Sequence, residues 1–364
     1  MKKTVMVIGR VVLVVSACML LSVWAPTGAD AGDVPVFSLA WSEYPSWSTF
    51  GVAHEFNLIH GAKGEMGPVE KRWGVDIELK EADYDTCLVM YGAGKTDAVC
   101  ITNMDALNPS LSVPSVMILP TSTSYGADAC IVTEDIKKVE QLKGKKVYGL
   151  AKTVSEYCFE RNLELLGQQD KDYTFTNMDP AAAALAMQQK RKGFDAIVVW
   201  NPFVLETLNK RKDVHVLFDS TSIPGEIIDT VVVSQSALDR PAGESFASAV
   251  IDVFYEINRR IDDPKTRDET LIALGEKFSH LDLESMKKAV EQTKFYDNPK
   301  AGNDVLSGDA TKGVMDKVTR FCVKHEMVPR KPSIGYGDKL TAPNVALRLD
   351  PTYIQNVQAG GKGK

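Results

Sequence analysis

The chain has 364 residues, of which 44% are hydrophobic and 25% charged, with a formal net charge of −6. That acidic balance excludes electrostatic attraction to nucleic acid or to anionic membrane surfaces, and the length is ample for two domains with separate cores. The cysteines form no CxxC pair, which speaks against a zinc site and against a disulfide framework.

The first residues read as an export signal. Lys2, Lys3 and Arg10 make a basic start, and residues 11–25 are apolar apart from Ser16 and Ser22. A break at Pro26 follows, and Ala29-Asp30-Ala31 has the small-x-small form that signal peptidase cleaves. The apolar run is shorter than the roughly twenty residues a bilayer-spanning helix needs. A signal peptide over 1–31 is therefore expected, with a periplasmic or other extracytoplasmic location. Val15-Ser16-Ala17-Cys18 resembles a lipobox, but Cys18 stands inside the apolar run, which makes a lipid anchor the lesser alternative. Removing 1–31 takes away three positive charges and one negative. It leaves Cys87, Cys100, Cys130, Cys158 and Cys322, an odd number among which one disulfide stays open.

From residue 36 the chain alternates short apolar strands with amphipathic stretches. The pattern predicts a strand at 36–41, an aromatic loop at 42–48, a helix at 49–73, and a strand at 75–80. A helix at 84–93 and a buried strand at 98–102 follow, a β-α-β-α-β unit of a mostly parallel sheet. Strands at 116–119 and 129–132 flank a Ser/Thr/Pro connection at 120–124. A second series runs strand 146–150, helix 155–166, strand 173–177, helix 180–192, strand 195–200, helix 202–211 and strand 214–218, with Pro180 and Pro202 at helix starts. A strand at 230–234 then leads to helices at 242–261, 265–278, 283–294 and 304–325. The expected division is lobe 1 from 32–122 and 229–328, lobe 2 from 123–228, and a C-terminal extension at 329–364 with a disordered end. The crossings between lobes are expected near 120–129 and 222–229.

In open parallel sheets, ligands sit beyond the carboxyl ends of the strands. The loops expected there carry Trp41, Ser42, Glu43, Tyr44 and Trp47, then Thr102, Asn103 and Asp105. In the second series they carry Thr153, Ser155, Trp200 and Asn201, and the return crossing holds Glu226 and Asp229. Aromatic walls with a few polar groups describe a small-molecule pocket. Plainer roles stay open: Trp41 and Trp200 as core, Thr102, Asn103 and Ser155 as helix N-caps, Asp105 as a partner of a helix N-terminus.

No catalytic constellation stands out. There is no GxSxG, and Gly92-Ala93-Gly94-Lys95-Thr96 lacks the glycine that a phosphate loop needs at position 89, which is Val89. The five histidines, at 54, 60, 215, 280 and 325, show no metal-ligand spacing. Neither enzyme activity nor a cofactor nor a metal is expected. Ala40-Trp41-Ser42 with Trp47, Thr102-Asn103-Met104-Asp105-Ala106-Leu107, Val199-Trp200-Asn201-Pro202 and Pro224-Gly225-Glu226-Ile227-Ile228-Asp229 resemble motifs of a known group. These are the periplasmic solute-binding proteins of ABC importers, in the nitrate/sulfonate/taurine and thiamine-pyrimidine-precursor-like superfamily, nearest its urea transporter branch.

The resemblance implies an α/β, two-lobed periplasmic binding protein fold of type II, each lobe a mostly parallel sheet flanked by helices, with a ligand cleft between. It implies a monomer that closes on a hinge and delivers a small-molecule solute to a membrane ABC permease driven by a separate ATPase. A sensor module that presents its ligand to a receptor is the alternative. A thiamine-pyrimidine-synthase-like enzyme is a weaker one, because such enzymes use a cysteine-rich run and Cys158 stands alone. Glu43, Asp105, Glu226 and Asp229, with Lys152 the one basic group at a strand end, favour a nitrogen-rich, neutral or cationic solute such as urea or guanidine. Taurine, another sulfonate or nitrate is the ligand alternative.

Overall fold

The computed structural model describes residues 34–360, so the expected signal peptide and residues 361–364 lie outside it. In chain order come β1 (Val36–Trp41), α1 (Ser48–Glu55), α2 (Pro68–Trp73), β2 (Asp76–Glu81), α3 (Tyr84–Gly92), β3 (Ala98–Thr102), α4 (Leu107–Ser110) and β4 (Ser115–Thr123). The chain continues through β5 (Asp128–Thr133), β6 (Lys146–Gly149), α5 (Val154–Leu165), β7 (Thr174–Asn177), α6 (Pro180–Gln188), β8 (Ala196–Trp200), α7 (Phe203–Lys210) and β9 (Val214–Asp219). It then returns through β10 (Ile228–Ser234) into α8 (Gln235–Leu238), α9 (Gly243–Asp262), α10 (Arg267–Phe278), α11 (Leu283–Thr293), α12 (Pro299–Ser307) and α13 (Asp309–Lys324). β11 (Ile334–Tyr336), β12 (Leu347–Leu349) and α14 (Thr352–Gln358) close it.

Two sheets result. The first has seven strands in the order β11-β12-β4-β10-β3-β1-β2, the second five in the order β7-β6-β8-β5-β9. Every residue of β3, β8 and β10 is buried, which is why these segments read as continuous apolar runs without alternation. In each sheet, the strand that enters from the other sheet runs against its neighbours: β5 is antiparallel to β8 and β9, and β10 to β3 and β4. The two crossings are tied side by side. Ser124 N–H donates to the Ile227 carbonyl at 3.2 Å, and the Ser124 and Ser220 hydroxyls lie 2.7 Å apart. No helix among the described residues is long and apolar enough to cross a membrane.

Several elements differ from expectation for identifiable reasons. The single helix expected at 49–73 is two, α1 and α2, because Asn57, Gly61 and Gly64 all take positive φ between them. Gly67 is required where the chain re-enters: a Cβ there would lie 2.5 Å from the Leu58 carbonyl oxygen. The helix expected at 304–325 breaks at the extended Gly308 into α12 and α13. The connection expected at 120–124 is instead the end of β4, which runs through Pro120 with a register irregularity against β10. Such a bulge is how a strand accommodates a residue without an N–H. The segment after Pro329 is more than an extension: β12 pairs with β4, β11 pairs with β12, and Leu347 and Leu349 are fully buried. Among the described residues the five cysteines are all free and buried, with thiols pushed far up by desolvation, Cys87 to about 12.

Glu70 holds the loop between α1 and α2. Its buried carboxylate accepts from the backbone N–H groups of Gly67 at 2.6 Å, His60 at 2.7 Å and Ile77 at 2.8 Å. Glu70→Gln turns one acceptor oxygen into a donor facing those N–H groups. It should lower stability by about 2–4 kcal/mol, read as a lower urea midpoint.

Candidate functional site

The pairing register brings the two sheets to one edge. Asp229 at the start of β10 lies opposite Thr102 at the end of β3, and Asp128 at the start of β5 lies opposite Trp200 at the end of β8. The loop after β1 adds Tyr44 and Trp47, and α3 and α5 add their first residues, Tyr84 and Val154. Together these groups enclose a cavity of about 10 Å³ open to the centre of a water-sized sphere, room for roughly one water. Its walls are aromatic. Trp47 stacks on Tyr84 with centroids 5.4 Å apart, Tyr84 meets Trp200 edge-on at 5.4 Å, and Tyr44 packs on Trp47 at 4.9 Å.

Acidic groups supply the polarity. The Asp105 carboxylate accepts from the Tyr84 hydroxyl at 2.8 Å, the Thr102 hydroxyl at 2.9 Å and the Val154 N–H at 3.2 Å. The last bond joins the sheets: Asp105 comes from the first, and Val154 opens a helix of the second whose own N-cap, Thr153, supplies no side-chain bond. Asp229 accepts from the Ser122 hydroxyl, which in turn lies 2.9 Å from the Ser46 hydroxyl and can accept from it. Burial raises Asp105 to about 6 against the pull of its donors, and raises Asp128 to about 7, helped by Asp105 and Asp219. Burial, with Asp128 nearby, holds Asp229 well above the usual carboxylate range. No lysine or arginine lines the enclosure. The indole Nε1 atoms of Trp47 and Trp200 are buried without an acceptor.

Of the residues expected here, Tyr44, Trp47, Thr102, Trp200 and Asp229 line the enclosure and Asp105 backs it. Ser42 and Ser155 are buried with unpartnered hydroxyls but do not line it. The other expected residues serve elsewhere. Trp41 faces a separate hollow beside His54 and Leu79. Asn103 brackets the return crossing, accepting from Ile228 N–H at 3.0 Å and donating to the Glu226 carbonyl at 3.1 Å. Asn201 donates to Gln292 at 3.0 Å and precedes a cis proline, Pro202. Thr153 turns its hydroxyl to the Leu150 carbonyl and borders a groove of about 400 Å³ with Lys152 and Met104.

Glu43 lies at the cleft mouth, a space of about 630 Å³ shared with Asp83, Asp85, Asp179 and Glu206. Burial, then Asp179 and Asp83, raise Glu43 to about 7. Glu226 is consumed by ion pairs: it meets Arg161 of α5 at 3.1 Å and Lys317 of α13 at 2.9 Å, and accepts from the Tyr157 hydroxyl at 2.7 Å. Its charge is satisfied by protein cations and is not free for a solute.

Tyr84 and Asp128 went unnoticed in the sequence. Asp128 begins its strand, and a search of strand ends passes over it. Only the antiparallel entry of β5 brings that beginning to the same edge as the end of β8.

Known structures share this fold. The periplasmic aliphatic sulphonate binding protein SsuA from Escherichia coli superposes with a TM-score of 0.63 at 19% identity, over 81% of this chain and 89% of that one. The fold is that of the two-lobed periplasmic binding proteins. The alkanesulfonate-binding protein SsuA from Xanthomonas axonopodis pv. citri gives 0.67 at 15% identity, over 87% of this chain and all of that one. The periplasmic nitrate-binding protein NrtA from Synechocystis PCC 6803 gives 0.54 at 12%, over 82% and 92%. No family model and no curated protein sequence matches the chain. At these identities the likeness is one of fold.

The Glu226 cluster makes a check on this assignment of roles. Glu226→Ala leaves Arg161, which is 12% exposed, with the half-exposed Glu164 as its remaining carboxylate, and should cost about 1–3 kcal/mol in chemical denaturation. Solute affinity measured on the folded fraction should change little, since the group lies outside the enclosure.

Proposed function

We propose that the protein is an extracytoplasmic solute-binding protein that closes its two lobes on a small nitrogen-rich solute of the guanidine or urea type and passes it to an ABC permease, without catalysis. The observation that carries this reading is the enclosure itself: stacked aromatic walls, Asp105, Asp128 and Asp229 buried around it, and no basic lining group. Desolvated carboxylates accept strong bonds from N–H donors. A planar ligand can lie against Trp47 or Trp200, worth about 0.5–2 kcal/mol per face if it is cationic. The unpartnered indole N–H groups suit the oxygen of a urea-type amide. The acidic mouth draws cations towards the cleft. Closure follows from contacts made to both lobes at once, which lower the closed form relative to the open one.

The names of the structural neighbours favour a second reading, a sulfonate or nitrate ligand. Three buried carboxylates oppose it, because an anion would have to be held where no cation offsets it. Isothermal calorimetry with guanidinium, urea, taurine and nitrate separates the two. Heat from guanidinium or urea is expected, and binding of the anions alone sinks the nitrogen-solute reading. Trp200→Ala should weaken guanidinium by about 2- to 30-fold. An adjacent permease and ATPase gene pair marks import, whereas an adjacent receptor kinase marks the sensor alternative.

The dependence on pH has a definite sign. Asp105 and Asp128 titrate near 6 and 7 in the folded protein against an ordinary 3.8, so without a ligand these groups favour folding most at low pH and lose that contribution as pH rises towards 7. A cationic solute needs them ionised. Guanidinium affinity should therefore fall as pH drops from 8 to 5.5, by up to about tenfold per unit for each proton taken up. At pH 6 its binding enthalpy should vary with buffer ionisation heat. A sulfonate would show the opposite slope.

A further inference from the structure

A second group of side chains gathers where α13 ends, away from the solute enclosure. His325 follows the last residue of α13, is 6% exposed, and stacks on Phe321 with centroids 4.1 Å apart and planes 18° apart, which fixes its ring. Its Nδ1 lies 2.9 Å from Glu160 Oε2 on α5 and 3.0 Å from Asp170 Oδ2 in the turn at 170–172. Neither is a well-directed hydrogen bond: Nδ1, Nε2 and Glu160 Oε2 are all buried without a partner. Three donor atoms from three separate segments thus converge, all within 4.8 Å of one another.

We propose that Glu160, Asp170 and His325 form a binding site for a divalent transition-metal ion. Bonds of about 2.1 Å meeting at angles between octahedral and tetrahedral set neighbouring donor atoms about 3.0–3.4 Å apart, near the 2.9 and 3.0 Å from Nδ1 to the two carboxylates. An imidazole with two carboxylates suits zinc and its neighbours in the first transition row and disfavours magnesium and calcium.

Two carboxylates beside one imidazole also fit a cation. The Asp170 side chain is 46% exposed and leaves a path for the ion and room for water ligands. Because Glu160 and Asp170 belong to the second sheet's segment while α13 also reaches Glu226 and Asn103, an ion here would pin that helix to α5.

Zinc ion is the probe. The full chain, stripped with chelator and dialysed, is titrated with Zn²⁺ by calorimetry alongside Glu160→Gln, Asp170→Asn and His325→Gln. One Zn²⁺ per chain, weakened at least tenfold in each variant, together with a thermal midpoint that zinc raises only in the unsubstituted chain, supports the site. No binding below millimolar, or binding that Asp170→Asn and Glu160→Gln leave unchanged, overturns it. Asp170 is half-exposed, so its variant remains a fair test even where the buried ones fail to fold. The result is independent of the solute reading, which calorimetry with guanidinium tests separately.

Discussion

The Asp105 carboxylate is the constraint from which most of the site follows. It is held on the first sheet by Tyr84 and Thr102, and it caps the first turn of α5 in the second. A helix start lacking its own side-chain cap is completed here from the other sheet. The contact between the sheets therefore completes a secondary structure element as well as a cavity. The same contact sets Val154 into the wall of the enclosure and keeps Tyr84 between Trp47 and Trp200. Little space is left, so any occupant is small or parts the walls on entry.

The charge pattern around this contact has two parts with different fates. Glu226 is neutralised by Arg161 and Lys317 and serves to hold α5 and α13 together. Asp105, Asp128 and Asp229 have only hydroxyl and N–H donors, and burial leaves all three with raised proton affinity. Isolated buried carboxylates are costly unless something cationic or strongly donating arrives. The molecule carries that cost where its crossings enter the sheets: Asp128 and Asp229 stand at the starts of β5 and β10, beside the serines that bridge the two strands.

Much of the fold was legible because its strands are nearly uniform apolar runs. β3 and the core of β8 were placed within a residue by that pattern, and the expected helices that follow Asp83 and Asp179 carry side-chain caps. Breaks inside helical-looking stretches were harder to see. Gly61, Gly64 and Gly308 sit among residues that favour helix, and only tertiary contacts such as Glu70 with three N–H groups show why the chain leaves it. The site was half legible. Tyr44, Trp47 and Trp200 stood out as clustered aromatics at strand ends. Glu226 looked identical in kind to Asp229, and nothing local revealed that two distant cations had claimed it. Asp128 and the trio of Glu160, Asp170 and His325 depend on chain reversal and on a long-range helix contact, neither of which leaves a periodic trace.

The sheet order has a consequence for how the molecule assembles. The second sheet is built from one continuous stretch, β5 to β9, so its nucleus needs only local chain. The first sheet interleaves β1 to β4 with β10 and then with β12, whose partner on β4 lies more than two hundred residues earlier. Closing loops of that length is slow relative to local pairing. The inner lobe is thus free to condense early as the chain emerges, while the other waits with the outer edge of β4 bare until its late strands arrive. An unpaired, largely apolar edge is an invitation to wrong partners, so the last stretch of chain acts as a seal that ends a vulnerable interval.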